Sequence, residues 1–322
     1  MNSPEILQVR VRAVTFEAEG ILGFELVPMP PLKELPAFTA GAHIDLLLPN
    51  GLTRSYSLLN APDERHRYLI GVNKDAGSRG GSRYMHETLR AGETLSIHPP
   101  RNNFPLDEGA PVSVFIAGGI GITPMLSMIA RARQLGMRWQ LHYAARTRRH
   151  AAFLDLLQSW HGAPDGQVNL VFDQEPGATM MDISAIVRDL PAEAHVYCCG
   201  PLPMLDAFER ATAALPPQRV HREYFAAKEA AATSGGFTVE LARSGKSVQV
   251  RAGQTILDSL IDIGVEPPYS CREGVCGTCE VRVLEGIPDH RDLVLSADEQ
   301  AANNRMMVCC SGAKSAKLVL DL

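Results

Sequence analysis

The sequence predicts a multi-domain chain of mixed α+β and α/β class. An antiparallel β-barrel comes first, a parallel-sheet α/β domain second, and a small cysteine-bearing domain closes the chain. Three observations carry this. Residues 6 to about 100 read as short strands rich in β-formers, separated by Gly, Pro or Asn, with little helix between them. From Pro111 the rhythm becomes strand, loop, helix, repeated, the pattern of a parallel sheet with crossover helices. Near the C-terminus, three of the seven cysteines fall between Cys271 and Cys279.

The elements follow in order. In the first segment, strands fall at 6–14, 21–27, 42–48, 54–59, 68–73 and 93–98, with one helix near 82–89. In the second, strands at 112–117, 140–144, 168–173, 195–199 and 220–225 alternate with helices at 123–134, 153–160 and 202–214. A small, polar, glycine-ended stretch at 227–236 reads as an interdomain linker. The last segment opens with strands at 237–243 and 247–250. Their Ser-Gly-Lys connection suggests a hairpin. A helix at 255–263, the cysteine loop, a strand at 280–284 and a closing strand at 317–321 complete it. The domains are therefore placed at 1–105, 106–226 and 237–322, joined by the linker.

Composition narrows the partners. A net charge of −5 disfavours nucleic acid, which needs a basic face. The opening Met-Asn-Ser-Pro-Glu-Ile lacks both regions of a signal peptide. The uncharged run at 112–130 carries Gly118, Gly119, Gly121 and Pro124 in its middle, which suits a strand, turn and helix better than a membrane span. Few, clustered cysteines fit thiolates reserved for chemistry in a reducing compartment, so the cytoplasm is expected.

Cys271, Cys276 and Cys279 stand at C-x4-C-x2-C spacing, with Cys309 thirty residues further on. That is the plant-type pattern for a [2Fe–2S] cluster on four thiolates. Gly274, Gly277 and Thr278 let the backbone come close enough to aim N–H groups at sulfur. A structural zinc site competes, but it favours two C-x2-C pairs. Cys310 is ambiguous, because on a strand Cys309 and Cys310 point to opposite faces and only one meets the cluster.

Four motifs lie upstream. Gly118-Gly-Ile-Gly-Ile-Thr-Pro124 sits between a strand and a helix, where backbone N–H groups can meet a phosphate. It is not a G-x-G-x-x-G fingerprint. Cys198-Cys-Gly-Pro201 is another strand end opening a helix. Cys199 can face a nicotinamide there, and Cys198 reads as a small buried side chain. Arg54-Ser-Tyr-Ser57 offers a guanidinium for a phosphate and an aromatic for a flat ring. Arg79-Gly-Gly-Ser82 opens the first segment's helix near an anion. His142, His195 and His221 read as structural, and no residue is nominated as a catalytic acid or base.

The combination resembles the phthalate dioxygenase reductase family, the reductase components of Rieske-type oxygenases, including the vanillate O-demethylase kind. The resemblance covers nearly the whole chain. It runs through Arg54, Tyr56 and Ser57, Arg79–Ser82, Pro100–Phe104, the glycine segment 118–124, Tyr197–Pro201 and Phe225. It ends with Asp289–Asp292 and Ala313–Ala316. It implies a flavin barrel holding FMN, an NADH-binding domain and a C-terminal β-grasp ferredoxin. Electrons would pass to a separate oxygenase, or alternatively to a ferredoxin or haem monooxygenase. It favours Cys309 as fourth ligand, and a monomer. Carried over by position, Arg54, Ser55, Tyr56, Ser57, Gly71, Val72, Asn73, Gly80, Gly81 and Ser82 line the flavin. Thr123 and Phe225 approach it from the nicotinamide domain. Gly118, Gly119, Gly121, Pro124, Cys199, Gly200 and Pro201 serve the nucleotide. Arg146-Thr-Arg-Arg149 is basic enough to pair a 2′-phosphate, which keeps NADPH beside NADH.

Overall fold

The computed structural model describes residues 6–160 and 162–322. Met1–Glu5, read above for targeting features, lie outside the described residues. The chain divides into two compact units, one running through Phe225 and the other Ala226–Leu322.

The first unit opens with β1 (Leu7–Ala18), β2 (Ile21–Pro28), β3 (His43–Leu47), β4 (Thr53–Ser57), β5 (Tyr68–Asn73), α1 (Gly81–Glu87) and β6 (Thr94–Ile97). The strands form one antiparallel sheet in the order β4-β3-β6-β1-β2-β5. An isolated antiparallel bridge between Leu58 and Ile70 links the chain just past β4 to β5 at the opposite edge. The alternation that predicts strands is visible in β1, where Leu7, Val9 and Val11 are buried and Gln8, Arg10 and Arg12 exposed. β1 runs further than expected because two register shifts let it keep pairing with β2.

The same unit continues with β7 (Val112–Gly118), α2 (Ile122–Gln134), β8 (Arg138–Ala145), α3 (Leu154–Ser159), β9 (Gly166–Phe172), α4 (Ile183–Arg188), β10 (His195–Cys199), α5 (Leu202–Thr212) and β11 (Val220–Glu223). These strands make a parallel sheet in the order β11-β10-β7-β8-β9. All seven residues of β7 are buried, as its central position requires. The uncharged run at 112–130 is thus β7, a short 3-10 turn and α2. No helix among the described residues is long and apolar enough to cross a membrane. The sheet packs on the preceding segment at Gly71, where a side chain would run into Thr123, Phe153 and Ile120.

The second unit holds β12 (Phe237–Leu241), β13 (Ser247–Val250), α6 (Ile256–Asp262), β14 (Glu280–Glu285), β15 (Pro288–Asp289), α7 (Ala297–Ala301), β16 (Arg305–Met307), β17 (Gly312–Ala313) and β18 (Lys317–Leu320). Its main sheet runs β13-β12-β18-β14-β16, with β12 and β18 parallel. The stretch read as a linker makes contacts inside this unit. Glu229 pairs with Arg291, and Ala232 N–H donates to the Cys310 carbonyl at 2.7 Å.

Candidate cofactor sites

The cysteine loop is built for sulfur. Arg272, Gly274 and Gly277 all have positive φ, at 59°, 71° and 75°, which curls the backbone around the thiols. Arg272 is kept in this conformation by an ion pair to Asp258 at 2.7 Å and by stacking over Tyr269 at 5.2 Å. The curl turns donors inward. Glu273 N–H donates to Cys271 Sγ at 3.3 Å, and Thr278 Oγ1 lies 3.1 Å from Cys276 Sγ. Cys271, Cys276, Cys279 and Cys309 are all buried, and Cys271 hydrogen-bonds with both Cys276 and Cys309. The hydrogen bond to Cys271, then burial, pushes the Cys276 thiol up, so a cation must displace a proton to bind.

This donor set fits an iron–sulfur cluster: four thiols, little water, and polar hydrogens aimed at sulfur. Among the described residues no three His, Cys, Asp or Glu side chains converge as a single metal ion requires. A two-iron cluster divides its thiolates between two irons and does not ask for that convergence. Cys309 and Cys310 lie in a turn and not on a strand, so the alternation that would send them to opposite faces does not apply. Cys310 N–H and Ser311 N–H both return to the Met307 carbonyl, at 3.3 and 3.0 Å.

In the first unit, β4 sorts its motif by face. Arg54 lies across the start of α1, where a side chain added at Gly81 would meet its Nε at 2.6 Å. Tyr56 shares that face of the strand, and burial pushes its phenol up to about 12. Ser55 alternates to the other face and donates to Asp45 Oδ1 at 2.6 Å. Asp45 has no exposed side-chain surface and also pairs with Arg101 and His98. Burial alone would raise its pKa. The hydrogen bond from His98, the Arg101 guanidinium and the Ser55 hydroxyl outweigh burial and hold the carboxyl well below the usual range. Arg101 of the 100–104 motif therefore anchors a buried carboxylate. Asn102 ties the same stretch to Thr39 Oγ1 at 2.7 Å and Ala40 O at 2.9 Å. Ser57 and Val72 are buried and Asn73 is exposed. Ser82 Oγ accepts from Asp75 N–H, two residues past β5, and Gly80 stands just before α1.

At the C-terminal end of the parallel sheet, two loops interlock. A Cβ on Gly121 would collide with the Cys199 carbonyl, and one on Gly118 would meet Pro201 and Met204. Gly200 is closed off by Met204 and Gly118. Gly119, at φ 53°, faces open space. Of the four glycines, it alone leaves room for a ligand beside its backbone. Thr123 donates to Ile120 O at 3.0 Å, and Pro124 sits in the first turn of α2, where its missing N–H costs nothing. Pro201 precedes α5 directly. Cys198 and Cys199 have no exposed surface, and burial pushes the Cys198 thiol up to about 12. Phe225 is 40% exposed at the end of the unit.

Two carboxylates escaped the sequence reading. Glu223 pairs in register with Cys199, its Oε2 is buried without a hydrogen-bond partner, and burial pushes it up to about 8. Asp173, just past β9, buries an unpartnered Oδ1. Beside it, Glu175 accepts from Arg148 N–H at 2.8 Å. The basic 146–149 stretch is partly occupied, since Arg149 pairs with Glu19 and Arg148 lies 5.0 Å over the Phe172 ring. Single acidic residues at strand ends carry no spacing signal, so the sequence could not single them out.

Comparison with known proteins fits this geometry. Residues 115–210 match an oxidoreductase NAD-binding domain, and 239–314 match a 2Fe-2S iron-sulfur cluster binding domain. A solved structure described as phthalate dioxygenase reductase, a modular structure for electron transfer from pyridine nucleotides to [2Fe–2S], is 40% identical. It superposes with a TM-score of 0.74 over 98% of both chains. The chain belongs to the phthalate dioxygenase reductase family. As a member of that family it is an oxidoreductase with an NAD-binding domain and a 2Fe-2S domain. Another relative, phenoxybenzoate dioxygenase subunit beta of Ectopseudomonas oleovorans, is 56% identical over 98% of this chain and 97% of its own. The chain also matches part of an intact type IV self-sufficient cytochrome P450 monooxygenase, at 39% identity and a TM-score of 0.86. That match covers 98% of this chain and 41% of the larger one.

Proposed function

We propose that the chain is an NADH-dependent reductase that passes electrons through FMN and a [2Fe–2S] cluster to a terminal Rieske-type oxygenase. The observation that carries this is the loop of buried thiols with N–H and O–H groups turned toward sulfur, in one chain with an NAD-binding sheet. Cys271, Cys276, Cys279 and Cys309 hold the cluster. Residues 1–105 form a β-barrel closed at the Leu58–Ile70 bridge, 106–226 bind NADH, 227–236 link, and 237–322 form a β-grasp ferredoxin.

FMN, when bound, would supply the chemistry that splits a two-electron hydride donor into single electrons, and the cluster held by the four cysteines would carry electrons singly. The protein's part is placement. Arg54 supplies a guanidinium at the start of α1, beside Gly80, Gly81 and Ser82, for the FMN phosphate. Tyr56 and Ser57 flank the ring, with Gly71, Val72 and Asn73 on the neighbouring strand. Ser55 braces that strand through Asp45. Gly119 offers backbone to the dinucleotide, while Gly118, Gly121, Gly200 and Pro201 hold the two loops together. Thr123, Pro124, Cys199 and Phe225 shape the nicotinamide end. No side chain need accept a proton, since the donor gives up hydride. NADH is preferred to NADPH because the basic 146–149 stretch is already engaged, Arg148 by Glu175 and Phe172 and Arg149 by Glu19. The names of the relatives support an oxygenase partner. The chain acts as a monomer in the cytoplasm.

Anaerobic titration with NADH tests the reading. Flavin and cluster absorbance should bleach together, with NADPH far less effective. Bleaching of the flavin alone would remove the relay. Cys276→Ala should lose its iron while keeping flavin, and full iron content in that variant would sink the ligand assignment. The P450 match supports a second destination, a haem monooxygenase. Reconstitution with each class of acceptor separates the two by which one turns over with NADH.

A further inference from the structure

Five cysteines crowd the cluster loop, and the four-ligand pattern uses four. The turn at Val308–Cys310 removes the strand alternation that would send Cys310 away. Cys310 Sγ hydrogen-bonds with Cys309, and it lies against Gly274, where a Cβ would stand 2.5 Å from it. Gly274 is midway between Cys271 and Cys276 in the curled loop. The fifth thiol therefore rests on the segment that two of the ligands bracket. It is buried, and its remaining partners are weak ones, the Met307 carbonyl and Ser311 Oγ, each at 3.8 Å.

We propose that Cys310 is a reserve ligand for the [2Fe–2S] cluster, able to take the fourth position when Cys309 cannot. In the exchange the iron–sulfur bond to Cys309 would break as one to Cys310 forms, and the Cys310 thiol proton would pass to the displaced Cys309 thiolate, its hydrogen-bond partner. Iron's oxidation state does not change. The turn needs little rearrangement, because both thiols already lie within hydrogen-bonding reach of each other on the same loop.

This rests on the ligand set proposed above, and the test separates the two. The variants are Cys309→Ala, Cys310→Ala and the double variant, each purified as the full chain and reconstituted anaerobically with iron and sulfide. Iron content, visible absorbance and the electron paramagnetic resonance of the reduced cluster are read, with flavin content as the folding control. Alanine is chosen because serine can itself ligate iron. The expected result is about two irons per chain in Cys309→Ala, with a shifted resonance, and loss of iron in the double variant. Loss of iron in Cys309→Ala as complete as in the double variant overturns the reserve role, as does retention in the double variant. If Cys309→Ala does not fold, the chelator-driven release of iron from Cys310→Ala decides. Release several-fold faster than from the parent chain supports recapture by Cys310, and an unchanged rate overturns it. Retention of iron in Cys276→Ala would instead mean that the ligand set itself is misplaced.

Discussion

At the scale of single residues, the glycines of the 118–124 segment do different work, and alanine tells them apart. Gly121 has the Cys199 backbone where a side chain would go, and backbone cannot turn aside. Gly121→Ala should cost about 3 kcal/mol, since overpacking against a fixed group is among the costlier insertions. Gly119 has open space but a positive φ, so Gly119→Ala should cost only about 1 kcal/mol. Thermal unfolding of the two variants checks the order, and equal losses would refute the interlock. The sequence marked both positions and gave no means of ranking them. A glycine needed for packing and one needed for a ligand look identical until the neighbouring loop is in place. Ser55 makes a related point, since its hydroxyl donates to a buried aspartate that no local pattern places beside it.

At the scale of elements, pattern was legible where burial alternates or where caps are strong. The helix expected at 255–263 appears as α6, with Thr255 and Asp258 forming a reciprocal capping box. α6 buries Ile256, Leu257 and Leu260, and Leu257 N–H donates to the carbonyl of Val308, the residue before Cys309. Thr255→Ala should therefore cost about 1 kcal/mol and lower the temperature at which cluster absorbance is lost in the full chain. An unchanged bleaching temperature would mean that α6 does not support that turn. α4 was not foreseen, because six residues give too little periodicity to read. The turn at 308–310 removes the alternation that on a strand would point Cys309 and Cys310 to opposite faces. What makes the turn is the pair of hydrogen bonds back to the Met307 carbonyl, which no local pattern encodes.

At the scale of the whole molecule, three buried groups set opposing responses to pH. Burial lowers His43 to about 4, and burial with the neighbouring His195 lowers His221 to about 4. Each takes up a proton on unfolding between that value and 6.5, so stability falls as pH drops through this window. Glu223 acts the other way. Its folded pKa of about 8 lies above its ordinary 4.5, so its contribution is complete below 4.5 and is lost as pH rises through 8. The melting temperature should peak near pH 6.5 and decline on both sides. Glu223→Gln should flatten the alkaline decline and steepen the acid one between pH 4.5 and 6.5, where its opposing effect overlaps that of the histidines. A parallel shift of the whole curve would contradict the assignment. The order of domains was legible from rhythm and cysteine spacing, but these buried charges were not, because desolvation is a property of the packed molecule.

The interlock between Gly121 and the Cys199–Pro201 backbone also limits how such a protein can be re-engineered. Two segments far apart in the chain behave as one mechanical part. Exchanging the glycine segment for that of a distant relative, to alter nucleotide preference, would present a foreign surface to an unchanged partner. The transplant should succeed only when both segments come from the same donor. Recombination libraries that cut the chain between them should yield functional chimeras far less often than libraries that keep the pair together.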